Sequence, residues 1–186
     1  LETVAESREK LATDIDLLLI HAPSRTVPIE ESISAMHDLQ DRGIVEHIGV
    51  SNFSVGQLQD AISASETPIL TNQVEYHPFE DQADVLEFCI ENDIMLTAYS
   101  PLAEGKVVGN AILDEIGARY GKSGPQVALR WLLQQELVSA IPKASSPAHI
   151  QENADVFDFE LTDEEMAQML DLQDGSLTRL RTVLGL

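Results

Sequence analysis

Short apolar runs alternate with stretches of helical spacing along the chain. The runs read "IDLLLIH" (15–21), "EHIGVSN" (46–52), "ILTNQVEY" (69–76), "IMLTAYS" (94–100) and "VSAIPK" (138–143). Each has the length and branching of a strand. Between them, residues 29–42 carry Ile29, Ile33, Met36 and Leu39 at helical spacing and stop at Gly43, a C-terminal cap signal. Further helices are predicted over 54–65, with Ser54 as N-cap, and over 81–92, pairing Val85 with Cys89 and Leu86 with Ile90. Residues 110–120 place Ile112, Ile116 and Tyr120 on one stripe. A helix from Pro125 to Gln135 follows Ser123 or Gly124 as cap, and Thr162 with Glu165 opens the last helix as a capping box.

This is a β-α repeat. Strands that are apolar throughout are expected to be buried on both faces of a parallel sheet, joined by right-handed crossovers. A doubly wound sheet and a (β/α) barrel both satisfy the pattern. No G-x-G-x-x-G follows the first strand, which weakens the doubly wound reading. In a barrel, chemistry sits at the C-terminal ends of the strands. Those ends read His21, Ser51-Asn52, Gln73-Val74-Glu75-Tyr76-His77, Tyr99-Ser100 and Lys143. One polar strand end is ordinary loop polarity; five in succession suggest one mouth.

Composition narrows the partners. The chain has 186 residues, 44% of them apolar, enough for one substantial domain with a core. No run of 18 or more apolar residues suggests a membrane span, and the charged "LETVAESREK" start lacks the apolar stretch of a signal peptide. The first residue is not methionine, so the natural start is expected upstream. The 32 acids and 11 bases leave a formal charge of −21, a field that repels nucleic acid and anionic membranes. The acids are dispersed and lysine is scarce, which points to a salt-adapted, halophilic source. The one cysteine, Cys89, lies on an apolar helical face and reads as a core thiol in a cytoplasmic protein. No two histidines have metal-ligand spacing, so no metal site is expected; His37 and His47 read as structural or solvated.

The segments "LLLIHAP", "HIGVSNF", "NQVEYHPF", "AYSPL", "QVALRWLLQ" and "IPKASSPAHIQEN" resemble the aldo/keto reductases in order and spacing over essentially the whole chain. The resemblance implies an α/β fold, a (β/α)₈ TIM barrel, with residues 1–186 a single domain formed by its C-terminal part, strands four to eight and their helices. The family's first three strands, which carry its catalytic Asp, Tyr and Lys, have no counterpart here, and Tyr76, Tyr99 and Tyr120 do not match the family's tyrosine.

By the same resemblance, His21 is the catalytic histidine that hydrogen-bonds the substrate carbonyl. Ser51, Asn52 and Gln73 hold the nicotinamide carboxamide, and Tyr99 stacks on the ring. Ser100, Leu102 and Gly105 line the pyrophosphate, with Glu104 a less expected acid there. Lys143 meets the adenosine 2′-phosphate, with Ser145, Ser146, His149, Glu152 and Asn153 around phosphate and adenine. Ala144 stands where serine is common and His149 where arginine is common, so the cofactor is expected to be NADPH with NADH used appreciably. Ala22, where an indole is frequent, implies a wider substrate mouth. His77 and Phe79 read as structural rim residues, and Trp131 as packed against the barrel. The tail "SLTRLRTVLGL" is expected to add little to substrate choice.

The implied function is reduction of small aldehydes or ketones by hydride transfer. The alternatives are a nucleotide-binding barrel with little or no catalysis, as a regulatory or interaction subunit; an inactive fragment; and a different barrel enzyme that binds phosphate at Lys143. The full-length form is expected to be a monomer. Five strands cannot close an eight-stranded barrel, so the 186 residues alone are expected to expose an apolar edge and self-associate.

Overall fold

The computed structural model describes residues 2–173, so the tail "SLTRLRTVLGL" lies outside the described residues. The chain divides into two compact units, one up to Gln73 and one from Val74 on.

The first unit contains helix α1 (Glu2–Leu11), strand β1 (Ile15–Ile20), helix α2 (Ile29–Asp41), strand β2 (Val45–Ser51), helix α3 (Val55–Ala64) and most of strand β3 (Ile69–Glu75). β1 pairs with β2 and β2 with β3, all parallel, as continuous apolar strands with helical crossovers require. α2 buries Ile33, Met36 and Leu39, the face its sequence spacing predicts. It ends in a Schellman motif. Gly43 takes φ +63°, its N–H donates to the Gln40 carbonyl, and the Ile44 N–H reaches back to Leu39. α3 starts on a capping box in which Ser54 and Gln57 satisfy each other.

One expectation needs correction here. β1 is not buried on both faces: Asp16 and Leu17 are exposed, Leu17 to 37%. Among the described residues of this unit β1 has a partner strand on one edge only, so its other edge lacks the cover a two-sided buried strand needs. β2 is apolar at Ile48 and Val50 and carries Gly49 between them. A Cβ on Gly49 would stand 2.7 Å from the Leu19 side chain and 2.8 Å from the Thr71 carbonyl. The glycine is what lets the three strands approach at this level.

The second unit holds the end of β3, helix α4 (Ala83–Glu91), strand β4 (Met95–Tyr99), a 3-10 turn (Ala103–Gly105), helix α5 (Ala111–Tyr120), helix α6 (Gly124–Leu133), strand β5 (Val138–Ala140), helix α7 (Pro147–Ala154) and helix α8 (Asp163–Leu170). β4 and β5 are parallel, and the Tyr76 N–H just beyond β3 donates to the Tyr99 carbonyl at the end of β4. Leu86, Leu96, Leu113, Ile116, Leu132 and Trp131 are fully buried in one core. Each large aliphatic side chain there contributes about 1.5–3 kcal/mol. Trp131 packs on Tyr76 with ring centroids 5.3 Å apart, as the sequence led us to expect. Cys89 is fully buried, and burial pushes its thiol up to about 12, an inert core thiol.

α5 turns its expected stripe to the core: Ile116 is buried, and Ile112 and Tyr120 are half-buried and pack against it, with Leu113 and Gly117 buried beside them. Gly117 lies against the Lys122 carbonyl, too close for any side chain. The capping box at Thr162 and Glu165 is present and reaches further than its own helix. The Tyr120 hydroxyl and the Arg119 guanidinium both donate to the buried Glu165 carboxylate.

Candidate active site

In the first unit the ends of β1, β2 and β3 are tied by side chains rather than by the strand ladder alone. The Gln73 carbonyl accepts two hydrogen bonds, from the Ser51 hydroxyl at 2.7 Å and from the Asn52 N–H at 2.9 Å. The Asn52 side-chain amide donates to the His21 carbonyl at 3.0 Å and to the Ser51 Oγ at 3.1 Å. Asn52 holds a left-handed φ of +63°, a conformation asparagine tolerates better than most residues. It turns its amide back across the strand ends while Ser54, two residues on, caps α3.

This network leaves specific groups over. His21 and Asn52 are exposed, Ser51 is buried and Gln73 is half-buried. Asn52 spends its NH₂ group and keeps its Oδ1 acceptor; the Gln73 side-chain amide makes no hydrogen bond to the described residues. One acceptor and one full amide are what a planar carboxamide needs for in-plane recognition. Ser51 gives its hydrogen to the Gln73 carbonyl and so braces the pair.

In the second unit a cleft of about 530 Å³ opens between the segment after β4 and the segment after β5. Ser100, Leu102, Glu104, Gly105, Ile141 and Lys143 are among its lining residues. The loop after β4 is built from left-handed residues. Ser100, Ala103 and Glu104 take φ of +47°, +50° and +53°, and Gly105 takes +94°. Three such non-glycine residues in five positions cost on the order of 1 kcal/mol each, a concentration typical of a ligand-shaped loop. Only Gly105 signals this in the sequence; nothing marks Ser100 or Ala103. Glu104 is exposed on the 3-10 turn, and Val108 and Ile141 add apolar wall that the sequence did not single out.

Tyr99 ends β4, half-buried, its hydroxyl held above the ordinary range by burial and by the carboxylates of Glu75 and Glu80. It is therefore neutral at physiological pH and suits stacking better than proton release. Lys143 lies three residues beyond β5, which is shorter than expected and ends at Ala140. Its side chain is exposed at the cleft. Ser146 caps α7, its hydroxyl accepting from the His149 N–H at 3.2 Å, and keeps its own hydrogen to donate. Ser145 and His149 are exposed and Asn153 is half-buried. The Glu152 carboxylate accepts from the Ser123 hydroxyl at 2.6 Å, so it anchors α7 to the start of α6 as well as standing among these residues.

The two groups of residues suit a dinucleotide in separate ways. The first leaves one acceptor, Asn52 Oδ1, and the Gln73 amide near the end of β1. The second offers an aromatic, a loop shaped for close backbone approach and an exposed ammonium. The other two tyrosines are committed. Tyr76 is fully buried and donates to Gln135 at 2.7 Å, its hydroxyl pushed far up by burial, and Tyr120 donates to Glu165.

The model of the Aldo/keto reductase family matches residues 1–174. The chain is 40% identical to the glyoxal reductase of Bacillus subtilis over 162 residues, 87% of this chain and 58% of that protein. It is 40% identical over 154 residues to the aldose reductase B of Dictyostelium discoideum, 82% of this chain and 49% of that protein. A solved thermostable aldo-keto reductase, crystallised with the inhibitor epalrestat, superposes with a TM-score of 0.88 at 39% identity, over 92% of this chain and 65% of that one. The chain thus spans roughly half to two thirds of the length of these relatives. With its β-α repeat, its strand-end His21 and this match over nearly all its length, the chain belongs to the aldo/keto reductase family and to its TIM-barrel-type α/β fold.

Proposed function

We propose that the protein carrying these 186 residues is an NAD(P)H-dependent oxidoreductase that reduces small aldehydes or ketones to alcohols. The observation that supports this most directly is the anchoring of three strand ends on the Gln73 carbonyl, which leaves Asn52 Oδ1 and the Gln73 amide beside His21. The relatives' names, glyoxal reductase and aldose reductase, suggest the same class of substrate.

When bound, the reduced nicotinamide supplies a hydride to the carbonyl carbon. Asn52 and Gln73 hold the carboxamide and so decide which ring face is presented. Tyr99 stacks on the ring. His21 hydrogen-bonds the carbonyl oxygen, orienting it and stabilising the negative charge that develops there. The proton that completes the alcohol comes from the family's catalytic tyrosine, which has no counterpart in these 186 residues and would be supplied by the rest of the protein. Ser100, Leu102 and Gly105 follow the pyrophosphate, and Lys143, Ser145, Ser146, His149 and Asn153 receive the adenosine end. Lys143 favours the 2′-phosphate of NADPH, but His149 lacks the permanent planar fork of arginine, so NADH is used appreciably. The buried, unpaired Cys89 fits a reducing cytoplasmic setting.

Fluorescence titration with NADPH and NADH tests the binding half. Saturable binding of both is expected, with Lys143→Met weakening NADPH about tenfold and NADH little. Absence of binding to either dinucleotide overturns the reading. Aldehyde-dependent NADPH oxidation tests the other half: His21→Ala should reduce it about a hundredfold or more. Dinucleotide binding without turnover in the protein carrying these residues would favour a nucleotide-binding barrel instead.

A further inference from the structure

The first unit holds a second hollow, separate from its strand-end cluster. It is a cleft of about 410 Å³ between the loop after β1, the start of α2 and the first turns of α3. His21, Ser51, Asn52 and Gln73 are not among its lining residues. Its walls carry Arg25 and Asp60, the Ser24 of the loop, and the apolar Val27, Ile29 and Phe53.

Two features of this lining stand out. Arg25 and Asp60 are both exposed and line the same space, yet the side chain of neither is paired with the other or with any other described residue. Acids outnumber bases 32 to 11 in this chain, so an unpaired guanidinium is not for want of carboxylates. Elsewhere Arg8 finds Asp14, Arg119 finds Glu115 and Glu165, and Lys122 finds Asp155 and Asp158, while Arg42, Lys106 and Lys143, like Arg25, have no acid partner among the described residues. The second feature is the polarity of the loop. Ser24 Oγ accepts from the Thr26 and Val27 N–H groups at 3.2 and 3.0 Å and lies 3.5 Å from the Thr26 hydroxyl, which fixes the loop beside Arg25.

The charge pattern selects the ligand. A plain anion would meet Arg25 but be repelled by Asp60 and by the field of a chain at −21. A plain cation would be repelled by Arg25. A molecule with both charges has no net interaction with the overall field and can satisfy both side chains. A guanidinium binds a carboxylate through two parallel hydrogen bonds, and Asp60 accepts from an ammonium. Val27, Ile29 and Phe53 provide apolar wall for the remainder. We infer that this cleft binds a free α-amino acid with an aliphatic side chain, its carboxylate on Arg25 and its ammonium on Asp60. None of His21, Ser51, Asn52 or Gln73 takes part, and leucine binding is read without any dinucleotide.

Calorimetric titration of the chain with L-leucine tests it. Saturable binding is expected. Arg25→Gln and Asp60→Asn should each weaken it about tenfold or more. Leucinamide, which lacks the carboxylate, and 4-methylpentanoate, which lacks the ammonium, should bind unmodified protein at least about tenfold less tightly than leucine. Both side chains are exposed, so the variants should keep the far-ultraviolet circular dichroism and thermal midpoint of the parent. The inference is overturned if leucine shows no saturable binding, if either folded variant binds it as the parent does, or if 4-methylpentanoate binds as well as leucine, the mark of a plain anion site.

Discussion

The side-chain amide of Asn52 donates a hydrogen bond to the main-chain carbonyl of His21 at 3.0 Å. Asn52 also holds φ at +63°, so two effects meet in one residue. Substitution separates them. Asn52→Gly relieves the backbone and loses the amide, and should cost about 1 kcal/mol. Asn52→Ala loses the amide and keeps the strain, and should cost about 1 kcal/mol more. Urea unfolding measures both. Dinucleotide affinity should fall about equally in the two variants, because each removes Oδ1. Equal stability of the two would mean that the left-handed backbone costs nothing here.

Gly49 and Gly56 give a matched pair on adjacent elements. A Cβ at Gly49 would stand 2.7 Å from the Leu19 side chain and 2.8 Å from the Thr71 carbonyl, whereas one at Gly56 would meet nothing within 4 Å. Gly49→Ala should therefore destabilise by about 1–3 kcal/mol through overpacking. Gly56→Ala, in the first turns of α3, should be neutral or stabilise by up to about 1 kcal/mol through helix propensity. Thermal unfolding of the two variants side by side is sufficient. A Gly49→Ala protein as stable as the parent would show that the three strands separate freely at this level.

The contrast between these glycines also shows what the sequence could and could not tell. Every strand among the described residues overlaps a predicted apolar run, although β2 starts one residue early at Val45 and β5 ends three residues early at Ala140. The caps at Gly43, Ser54, Ser123 and Thr162 were legible because capping is local chemistry. The stripe of α5 was legible, but the close approach of Gly117 to the Lys122 carbonyl was not, because a shape constraint leaves no periodic trace. α1 and α7 were not read: α1 has no buried stripe, and α7 has no buried residue at all. At the strand ends, the hydrogen bonds among the candidate residues were not legible. Nothing in "VSNF" says that Ser51 gives its hydrogen to the Gln73 carbonyl 22 residues away.

Glu165 couples a helix cap to acid stability. Burial pushes its carboxyl up, but the Tyr120 hydroxyl, the Thr162 N–H and the Arg119 guanidinium outweigh burial and hold it below the usual carboxylate range. A depressed carboxyl contributes stability that is present above its unfolded value, about 4.3, and is lost as pH falls through the folded value. Glu165→Gln should cost about 2 kcal/mol at neutral pH, since it weakens charge-assisted bonds to a buried group. It should also flatten the fall in stability below about pH 4.5, the range where the parent carboxylate takes up its proton. Urea midpoints across pH 3–7 measure both effects. An unchanged acid limb in the variant would assign that limb to other carboxylates, with Asp158, held low by Lys122, the next to test.

Cofactor choice turns on two neighbouring positions. Ala144 and His149 stand near Lys143 in the segment that enters α7, and His149 is exposed in its first turn. His149→Arg restores a permanent bidentate donor for phosphate and should raise the NADPH to NADH preference about tenfold. Ala144→Ser adds one hydroxyl donor and should contribute less, about twofold to fivefold. Titration of each variant with both dinucleotides separates the two. A parent that already favours NADPH by several orders of magnitude, or a His149→Arg protein that shifts NADH and NADPH together, would remove the adenosine phosphate from this end of α7.

The charge of the chain makes one further prediction, on stability rather than activity. A formal charge of −21 with acids dispersed along the sequence means self-repulsion in the folded state that few bases offset. Screening relieves it: the Debye length falls from about 10 Å at 0.1 M salt to about 3 Å at 1 M. The thermal midpoint should therefore rise with KCl across that range, and the protein should approach unfolding at the low end. An uncharged osmolyte at matched osmolality should stabilise much less, because it leaves the repulsion unscreened. The ion pairs of Lys122 with Asp155 and Asp158 work in the opposite sense, since screening weakens them. They are few against 32 acids, so repulsion sets the sign. A midpoint independent of KCl would show that the acids are spaced widely enough not to interact, and with that the case for a salt-adapted protein fails.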